Sequence, residues 1–479
     1  MVPEIPILRH GEPYASIEKT DIFHHATGEP IARMNQANSG LVARDIRRMD
    51  DAVLERFPVA ELISSCRRAG ELFMTAALPV GDGEQSFDDY AASLSATTGM
   101  PVTYCRNNAA KIHKVLTEIE VVIRGLTRGF DLNILDRGYG SHKGGTLSFF
   151  RAGRIFGAVL PSNSPGVHGL WIPAIALKTP IVLKPGSQEP WTPLRIIESL
   201  AAAGVPREAL GFYPTDHAGA TEILRLTDRS MLFGDESTTR PWRNDPRVEL
   251  HGPGYSKVIL GDDTADDWER YLDIMVSSIA ANGGRSCINA SAIWTPKNGR
   301  GIAEALATRL ASVKALSADD PKAEIAAFAN PLVAQRISAV IDAGLRTEGA
   351  ADLTERFRGA SRHVPPASDG TSRCGYLLPT LIWCEDRDHP LANREFLFPY
   401  ASVVECPTQE MPDAIGRTLV VSAVTSDRRF IDALMASPNV DRLNVGPIPT
   451  YQISWDQPHE GNLFEHLYRQ RAFQIESAA

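Results

Sequence analysis

The sequence predicts an α/β fold built from two successive domains, each with a largely parallel sheet. From Arg154 onwards, short apolar runs alternate with helical segments of about twelve residues, a pattern typical of βαβ units. The first 130 residues instead carry apolar residues mostly at helical spacing. The chain has 479 residues, enough for two to four domains at roughly 150 residues per domain.

The predicted elements of the first domain follow one another along the chain. The N-terminal helical segments are 41–57, 59–78 and 107–129. Beyond them come strand 155–160, helix 166–178, strand 180–184, helix 192–203, strand 210–213, helix 217–226 and strand 230–233. Ligands of such sheets bind beyond the carboxyl ends of the strands, so polar residues at these ends are candidates for chemistry.

A second α/β pattern occupies the rest of the chain. It consists of strand 256–260, helix 264–281, strand 290–294, helices 301–316 and 330–344, and strands 378–383, 401–405 and 420–424. From Trp455 onwards the sequence is polar and aromatic, which predicts a tail packed on another part of the protein.

Composition argues against several classes of protein. The chain has 49 Lys and Arg against 58 Asp and Glu, a formal charge of −9, and without a basic cluster this disfavours nucleic-acid binding. No apolar run approaches the ~20 residues of a membrane helix, and the N-terminus lacks a signal-peptide pattern. The six cysteines include no C-x-x-C pair, so we expect no metal site. Few cysteines and no signal predict a cytoplasmic protein.

One cysteine has a candidate catalytic setting. Cys287 ends the segment 282–287 (NGGRSC), between a predicted helix and a predicted strand. A sulfur exposed at the end of an element can act as a nucleophile, but a lone cysteine is more often a small buried hydrophobe. Cys287 taken alone leaves both interpretations open.

Three other polar residues have comparable settings. Glu249 could activate water if burial raised its pKa, and Asn163 could donate a hydrogen bond to a developing oxyanion. Lys184 ends a strand, where it could bind a ribose hydroxyl or a phosphate. The plainer interpretations are a loop glutamate, a turn asparagine and a solvated lysine.

The order and spacing of these residues resemble the aldehyde dehydrogenase superfamily from about Arg151 to Val424. Six segments carry the resemblance: 161–165 (PSNSP), 181–185 (IVLKP), 249–252 (ELHG), 282–287 (NGGRSC), 375–380 (GYLLPT) and 394–399 (REFLFP). Each motif is weak alone, but six in the family's order are specific. The chain is therefore identified as a divergent member of that superfamily.

The resemblance implies oxidation of a small-molecule aldehyde to a carboxylic acid with NAD or NADP. Cys287 would be the nucleophile that forms a thiohemiacetal and then a thioester, Asn163 would stabilise the oxyanion, and Glu249 would be the general base. The residues implied in cofactor binding are Lys184, Ser187, Pro161, Gly234, Glu395 and Leu250.

The resemblance also implies two Rossmann-like α/β domains and a β-arm. The dinucleotide-binding domain would comprise 1–129 and 151–248, with the N-terminal helices, and the catalytic domain would comprise 249–440. Segments 130–150 and 441–479 would form the oligomerisation arm and the tail. A homodimer or homotetramer is expected, without nucleic-acid or membrane partners.

Two departures from the family pattern concern the cofactor. Asp235 and Glu236 stand in the phosphate-binding turn, where carboxylates would repel a pyrophosphate. Ser187 replaces a glutamate of NAD-preferring relatives, which leaves room for the 2′-phosphate of NADP, although Glu189 lies two residues further on.

Three departures concern the pocket. His251 replaces a glycine, and we interpret it as filling space rather than changing function. Ser162 replaces a bulky residue and Phe398 a glycine, so the substrate pocket should be unusual. The pairs His459–Glu460 and Glu465–His466 lack the spacing of a metal-binding H-E-x-x-H helix and predict a polar interface or channel rim.

Two alternative functions stay open at the level of the sequence. In a CoA-acylating dehydrogenase or acyl-thioester reductase, a thiol rather than water would exchange with the acyl-enzyme; Glu249 favours hydrolysis, because acylating relatives often lack this base. A non-catalytic protein could also retain the fold, and the altered phosphate turn favours that alternative.

Overall fold

The computed structural model of the protein describes residues 2–474 and contains two seven-stranded sheets. The predicted α/β class with two largely parallel sheets is confirmed. Within the described residues, no helix combines the length and the apolar character that crossing a membrane would require.

The N-terminal region begins with short strands before its helices. These strands are β1 (Glu4–Ile5), β2 (Ile7–Arg9), β3 (Glu12–Tyr14), β4 (Lys19–Phe23) and β5 (Pro30–Asn35). The elements that follow are α1 (Ser39–Arg48), α2 (Val59–Thr75), β6 (Leu78–Val80), β7 (Gly83–Gln85), α3 (Phe87–Thr98), α4 (Val102–Thr117) and α5 (Ile119–Leu126). The mostly helical prediction missed the strands because they have only two to six residues, too few for a clear alternating pattern.

A hairpin follows the N-terminal helices at the place predicted for a β-arm. It comprises α6 (Ile134–Arg137), β8 (Tyr139–His142) and β9 (Gly145–Arg151). Strands β8 and β9 pair antiparallel, and a strand from the tail, described below, pairs with the other edge of β9.

The first large sheet has the strand order β14-β13-β10-β11-β12-β2-β3. Its later elements are β10 (Phe156–Val159), α7 (Pro173–Ala176), β11 (Ile181–Lys184), α8 (Trp191–Ala202), β12 (Leu210–Phe212), α9 (His217–Leu226), β13 (Arg229–Phe233), α10 (Glu236–Thr239) and β14 (Val248–His251). Strands β10 to β14 pair in parallel. Apart from Lys184 at the end of β11, strands β10, β11 and β12 are buried throughout, which explains their unbroken apolar sequences.

The second large sheet has the order β17-β20-β21-β16-β15-β22-β23. Its elements, with two short strands outside the sheet, are β15 (Lys257–Leu260), α11 (Leu272–Ala280), β16 (Ala292–Thr295), α12 (Gly299–Leu310), α13 (Pro331–Leu345), β17 (Ala350–Asp352), α14 (Leu353–Arg358), β18 (His363–Val364), β19 (Tyr376–Leu377), β20 (Thr380–Cys384), β21 (Tyr400–Glu405), α15 (Met411–Ala414), β22 (Thr418–Val424), α16 (Arg428–Ala436) and β23 (Val440–Val445). All its strands run parallel except β17.

The tail packs on the first half of the chain, as its composition predicts. It contains α17 (Leu463–Leu467) and β24 (Tyr468–Gln470), and β24 joins the hairpin sheet beside β9. Phe464 and Leu467 are buried in the same core as the N-terminal helices.

Two of the proposed domain boundaries fall inside strands. The boundary after residue 248 divides β14, because Met231 of β13 pairs with Glu249 and extends the first sheet to His251. The boundary after residue 440 divides β23, which pairs with β22 at the edge of the second sheet. Glu249 thus belongs to the first sheet.

A buried arginine joins α8 to the N-terminal region. Arg195 is 2% exposed, and its guanidinium donates to the carbonyls of Phe73, Gln85 and Ala76 at 2.9, 2.9 and 2.8 Å. We expect Arg195→Met to lower the free energy of unfolding by about 3 kcal/mol or more, because it leaves buried carbonyls without donors. Urea unfolding followed by tryptophan fluorescence measures this loss.

Arg309→Met is the matched control, since the side chain of Arg309 is 52% exposed and pairs with an exposed carboxylate. It should change stability by less than about 0.5 kcal/mol. Equal losses in the two variants would contradict this account of Arg195.

Candidate active site

The Cys287 loop, residues 282–287, follows α11 in a left-handed turn. Asn282, Gly283 and Gly284 have φ of 56°, 64° and 68°. A Cβ on Gly284 would lie 2.3 Å from the carbonyl carbon of Phe398, so a side chain there is excluded. The absence of a side chain at Gly284 therefore lets the backbone at Phe398 pack directly against the loop.

A polar network fixes this loop against the first domain. The side-chain amide of Asn163 donates to the carbonyl of Arg285 at 2.8 Å. Asn282 donates to the Ser164 hydroxyl at 3.1 Å and accepts from the side-chain amide of Asn108 at 2.7 Å. The structure thus brings Asn163 to the Cys287 loop, with its donor group bound to a protein carbonyl.

Cys287 is half-buried, whereas the other five cysteines are buried. Its thiol donates to Glu460 Oε1 at 3.4 Å, and its carbonyl accepts from the Ser256 hydroxyl at 2.8 Å. Burial, followed by the negative charges of Glu460 and Glu395, raises the pKa of the Cys287 thiol well above its usual value. The thiol is therefore protonated in this arrangement.

The carboxylate beside Cys287 belongs to the site turn, which we define as residues 458–461 of the tail. Glu460 Oε2 lies 3.1 Å from His251 Nδ1, and both side chains are 6% exposed. His251 also stacks on Phe233 with ring centroids 4.5 Å apart. On the other side, His459 Nδ1 lies 2.6 Å from Arg442 Nη1. His251 thus packs on Phe233 and binds the residue that contacts the thiol.

His251 and Glu460 stabilise each other in their charged forms. Burial disfavours both charges, but the hydrogen bond and the attraction between them outweigh it. The pKa of His251 is consequently raised, and the pKa of Glu460 is lowered to about 2. The contact therefore favours the charged form of each of the two groups.

Glu249 lies on β14, and the site turn packs against it. Gly461 has φ of +86°, and a Cβ there would lie 1.7 Å from Glu249 Oε1. Burial raises the pKa of the Glu249 carboxyl above its usual value of 4.5, although the positive charge of His251 opposes the change. The site turn therefore contacts both Glu249 and Cys287.

The predicted cofactor residues at the sheet edge lie together. Lys184 ends β11 and pairs in register with Val159 of β10, which leads into Pro161. Burial lowers the pKa of Lys184. Beyond it, the Gln188 N–H donates to the Ser162 hydroxyl at 3.2 Å, so Ser162 joins the two loops at this edge.

Ser187 is exposed in the same loop, whereas Glu189 is buried. The carboxylate of Glu189 accepts from the Thr192 N–H at 2.9 Å and lies 2.9 Å from His168 Nε2. Glu189 is thus engaged in the core and not available to a ribose at the surface.

In the turn predicted to bind phosphate, residues 233–238, the Asp235 carboxylate binds the polar groups of the turn itself. Gly234 follows β13, and Asp235 accepts from the Thr238 N–H at 2.9 Å and from the Ser237 hydroxyl at 2.7 Å. Glu236 is exposed and lies 3.5 Å from Arg243. Asp235 therefore caps the short helix α10 where the family pattern predicts a pyrophosphate.

Glu395 lies on the second domain beside the Cys287 loop. Its Oε2 accepts from the backbone N–H groups of Gly254 and Tyr255 at 2.9 and 2.7 Å. Burial raises the pKa of Glu395 to about 7. Glu395 thereby joins the second domain to the segment that follows β14.

A cleft of about 840 Å³ opens at this junction. The residues that line it include Glu249, Leu250, His251, Gly254, Tyr255, Arg128, Arg243, Arg417, His459 and Glu460. A smaller pocket of about 50 Å³ lies on the other side of the site turn, with a largely apolar wall. This wall includes Val122, Leu126, Leu170, Pro173, Met231, Ile453 and Trp455. The site turn forms the partition between the two spaces.

The structure therefore brings Cys287, Asn163, Glu249 and Glu395 to one junction, with Lys184 and Ser187 at the neighbouring sheet edge. Sequence reasoning missed the contact of Glu460 with Cys287 and treated His459–Glu460 as a rim. No sequence motif signals this contact, because the pair stands in a tail with several other charged and polar residues. Within residues 2–474, no group of three or more His, Cys, Asp or Glu side chains could hold a metal ion.

Comparison with known proteins gives the family. The sequence model of the aldehyde dehydrogenase family matches residues 13–415. The chain belongs to the aldehyde dehydrogenase family. This agrees with the convergence of Cys287, Asn163, Glu249 and Glu395, which were selected on family motifs.

The relatives are distant. Aldehyde dehydrogenase citD of Monascus ruber is 29% identical over 268 residues, 53% of this chain and 50% of that protein. The chain thus spans about half the length of such curated relatives. An aldehyde dehydrogenase from Bacillus cereus in complex with NAD+ has a TM-score of 0.77 at 15% identity, with 99% of this chain and 97% of that chain covered. 3,6-Anhydro-L-galactose dehydrogenase in complex with NADP has a TM-score of 0.76 at 16% identity, with 99% of this chain and 100% of that chain covered.

The contact of Gly461 with Glu249 can be tested by adding one methyl group. We expect Gly461→Ala to lower the free energy of unfolding by about 2–3 kcal/mol or more, because strain at positive φ adds to displacement of the Glu249 carboxylate. Urea unfolding measures the loss.

Gly446→Ala is the control, because Gly446 also has positive φ (+95°) but nothing lies within 4 Å of the added methyl group. It should cost only the backbone strain, about 1 kcal/mol. A loss in Gly461→Ala no larger than in Gly446→Ala would contradict the contact.

Proposed function

We propose that the chain oxidises an aldehyde to a carboxylic acid with NAD or NADP as hydride acceptor. The observation that carries the proposal is that Cys287 contacts Glu460 of the site turn, which packs on Glu249 between the cleft and the small pocket, while the Asn163 amide binds the Cys287 loop. Membership of the aldehyde dehydrogenase family supports the same reaction class.

The first step belongs to Cys287. The thiol releases its proton to solvent, and the sulfur electron pair attacks the carbonyl carbon, so that a carbon–sulfur bond forms as the carbonyl π bond breaks. The carbonyl oxygen becomes an oxyanion, for which Asn163 and the Cys287 backbone N–H are the donors. For this role Asn163 exchanges its bond to the Arg285 carbonyl for one to the substrate.

NAD or NADP, when bound, supplies the acceptor for the hydride that leaves the adduct carbon. The cleft volume of about 840 Å³ lies within the roughly 300–1,000 Å³ of small-molecule sites. The residues proposed to hold the cofactor are Lys184, Ser187, Pro161, Gly234, Glu395 and Leu250, of which Leu250 lines the cleft.

The fit has one conflict, at the phosphate turn. Asp235 places a carboxylate on α10, while Arg243 and Arg417 line the cleft and offer compensating positive charge. Ser187 is exposed and uncharged, and the nearby Glu189 is buried. No carboxylate of this loop would therefore repel a 2′-phosphate, so we propose that NADP is accepted as well as NAD.

Glu249 completes the reaction by removing a proton from water. The water oxygen attacks the thioester carbonyl carbon, the carbon–sulfur bond breaks, and the acid leaves as Cys287 regains its proton. A buried carboxyl with a raised pKa is a stronger base than an exposed one, which suits this step.

The hairpin and the tail are proposed to form the oligomerisation arm of a homodimer or homotetramer. Strands β8, β9 and β24 make a small sheet separate from the two large sheets. The first large sheet with the N-terminal helices is proposed as the dinucleotide-binding domain. The second large sheet is proposed as the catalytic domain.

Glu249→Gln tests the proposed base. Turnover should fall by about 10²- to 10⁴-fold, while the first equivalent of reduced cofactor still forms, because the amide cannot deprotonate water but leaves Cys287 intact. Stopped-flow absorbance of reduced nicotinamide measures both phases. A Glu249→Gln enzyme with normal steady-state turnover would exclude Glu249 as the base.

The pH dependence of turnover follows from the same residue. Glu249 acts when ionised, and burial raises its pKa above 4.5, so turnover limited by thioester hydrolysis should rise with pH through a midpoint above that value. Steady-state rates across pH measure this midpoint, and the rise of turnover with pH should be absent in Glu249→Gln.

The reaction class is tested with purified protein, NAD or NADP, and a panel of aliphatic and aromatic aldehydes. We expect reduced nicotinamide to form without coenzyme A and to be abolished in Cys287→Ala. Turnover only with coenzyme A would favour the acylating alternative. Absence of both turnover and cofactor binding would favour a non-catalytic protein, the second candidate, which the Asp235 carboxylate in the phosphate turn favours.

A further inference from the structure

The environment of Cys287 is unusual for a proposed nucleophile. Reactive thiols usually lie beside cations or at helix N-termini, which favour the thiolate. Here the sulfur instead faces a carboxylate, Glu460 Oε1, at 3.4 Å. The His459 ring, which the Arg442 guanidinium binds at 2.6 Å, lies 3.6 Å from the same oxygen.

The Glu460 carboxylate is held in place on two sides. His251 Nδ1 lies 3.1 Å from Oε2, and His251 is itself fixed by stacking on Phe233. Gly461, the next residue, lies directly against Glu249. The His251 contact and the packing of the site turn on Glu249 therefore hold the carboxylate beside the thiol.

We propose that Glu460 is a positioning residue for the proposed nucleophile: its carboxylate accepts the Cys287 thiol hydrogen and keeps the sulfur protonated in the resting protein. His251 holds the carboxylate in that place. The inference goes beyond the proposed function, which assigns no role to either residue, and it rests on that function only in naming Cys287 the nucleophile.

Other charges also act on the thiol and on Glu460. The titratable and charged groups that face them from neighbouring elements are Glu249 and His251 on β14, Glu395, Arg417, Asp441 and Arg442 on β23, and His459. Of these, the carboxylates of Glu460 and Glu395 act to raise the pKa of Cys287. Removing the Glu460 charge should therefore lower the pH at which the thiolate forms.

The test uses the cofactor-free protein and needs no substrate. The rate of alkylation of Cys287 by iodoacetamide, a neutral reagent, is measured across pH by peptide mass spectrometry. We expect the midpoint of this pH profile to fall by about 1–2 units in Glu460→Gln, because a neutral amide replaces the charge beside the sulfur. Glu460→Asp keeps the charge and should stay nearer to the wild-type midpoint.

Glu465→Gln is the matched control, since it removes the same charge from the same tail at a side chain that is 65% exposed. Its midpoint should equal that of the wild type, and thermal unfolding verifies that each variant is folded.

An unchanged or higher midpoint in Glu460→Gln would overturn the proposal, and so would a larger shift in Glu460→Asp than in Glu460→Gln. Absence of alkylation in both wild type and Glu460→Gln up to pH 10 would also overturn it, because burial alone would then protect the thiol. Failure of the aldehyde assay with a shifted midpoint would reject the proposed function and leave the role of Glu460 intact.

Discussion

The buried ion pair between His251 and Glu460 is the interaction on which the arrangement of the site depends. An ionised carboxylate that is only 6% exposed costs several kcal/mol to desolvate unless a cation and hydrogen bonds compensate. His251 supplies that compensation from β14 of the first sheet, while Glu460 comes from the tail. The pair therefore holds the site turn against the Cys287 thiol. Gly461, in the same turn, packs against Glu249.

The residues of the site come from both large sheets. Glu249 is carried by the last strand of the first sheet, whereas the Cys287 loop precedes β16 of the second. Glu395 joins them by accepting from the backbone of Gly254 and Tyr255, immediately after β14. Because the reacting groups come from both sheets and the tail, small relative movements of these parts change the distance between base and nucleophile.

Much of the fold could be predicted because its central strands are buried on both faces and read as unbroken apolar runs. Predicted strands 180–184 and 230–233 coincide closely with Ile181–Lys184 and Arg229–Phe233. The strands of the first 35 residues were not predicted, since they have only two to six residues; β2 also pairs with β12 some two hundred residues later in the sequence. The proposed domain boundaries after residues 248 and 440 fall inside β14 and β23, because pairing with a neighbouring strand decides where a strand begins and ends.

The site shows a similar division between local and distant information. Cys287, Asn163 and Glu249 stand in local motifs and could be selected from the sequence, and the structure brings them to one junction. Glu460 could not be placed, because nothing in residues 455–470 indicates that this tail returns to the loop at residue 287. His251 looked like a harmless replacement of glycine for the same reason, since its partner lies 209 positions away. A substitution within a family motif is thus best judged together with the distant segment that contacts it, and here that segment carries the charge that the new histidine neutralises.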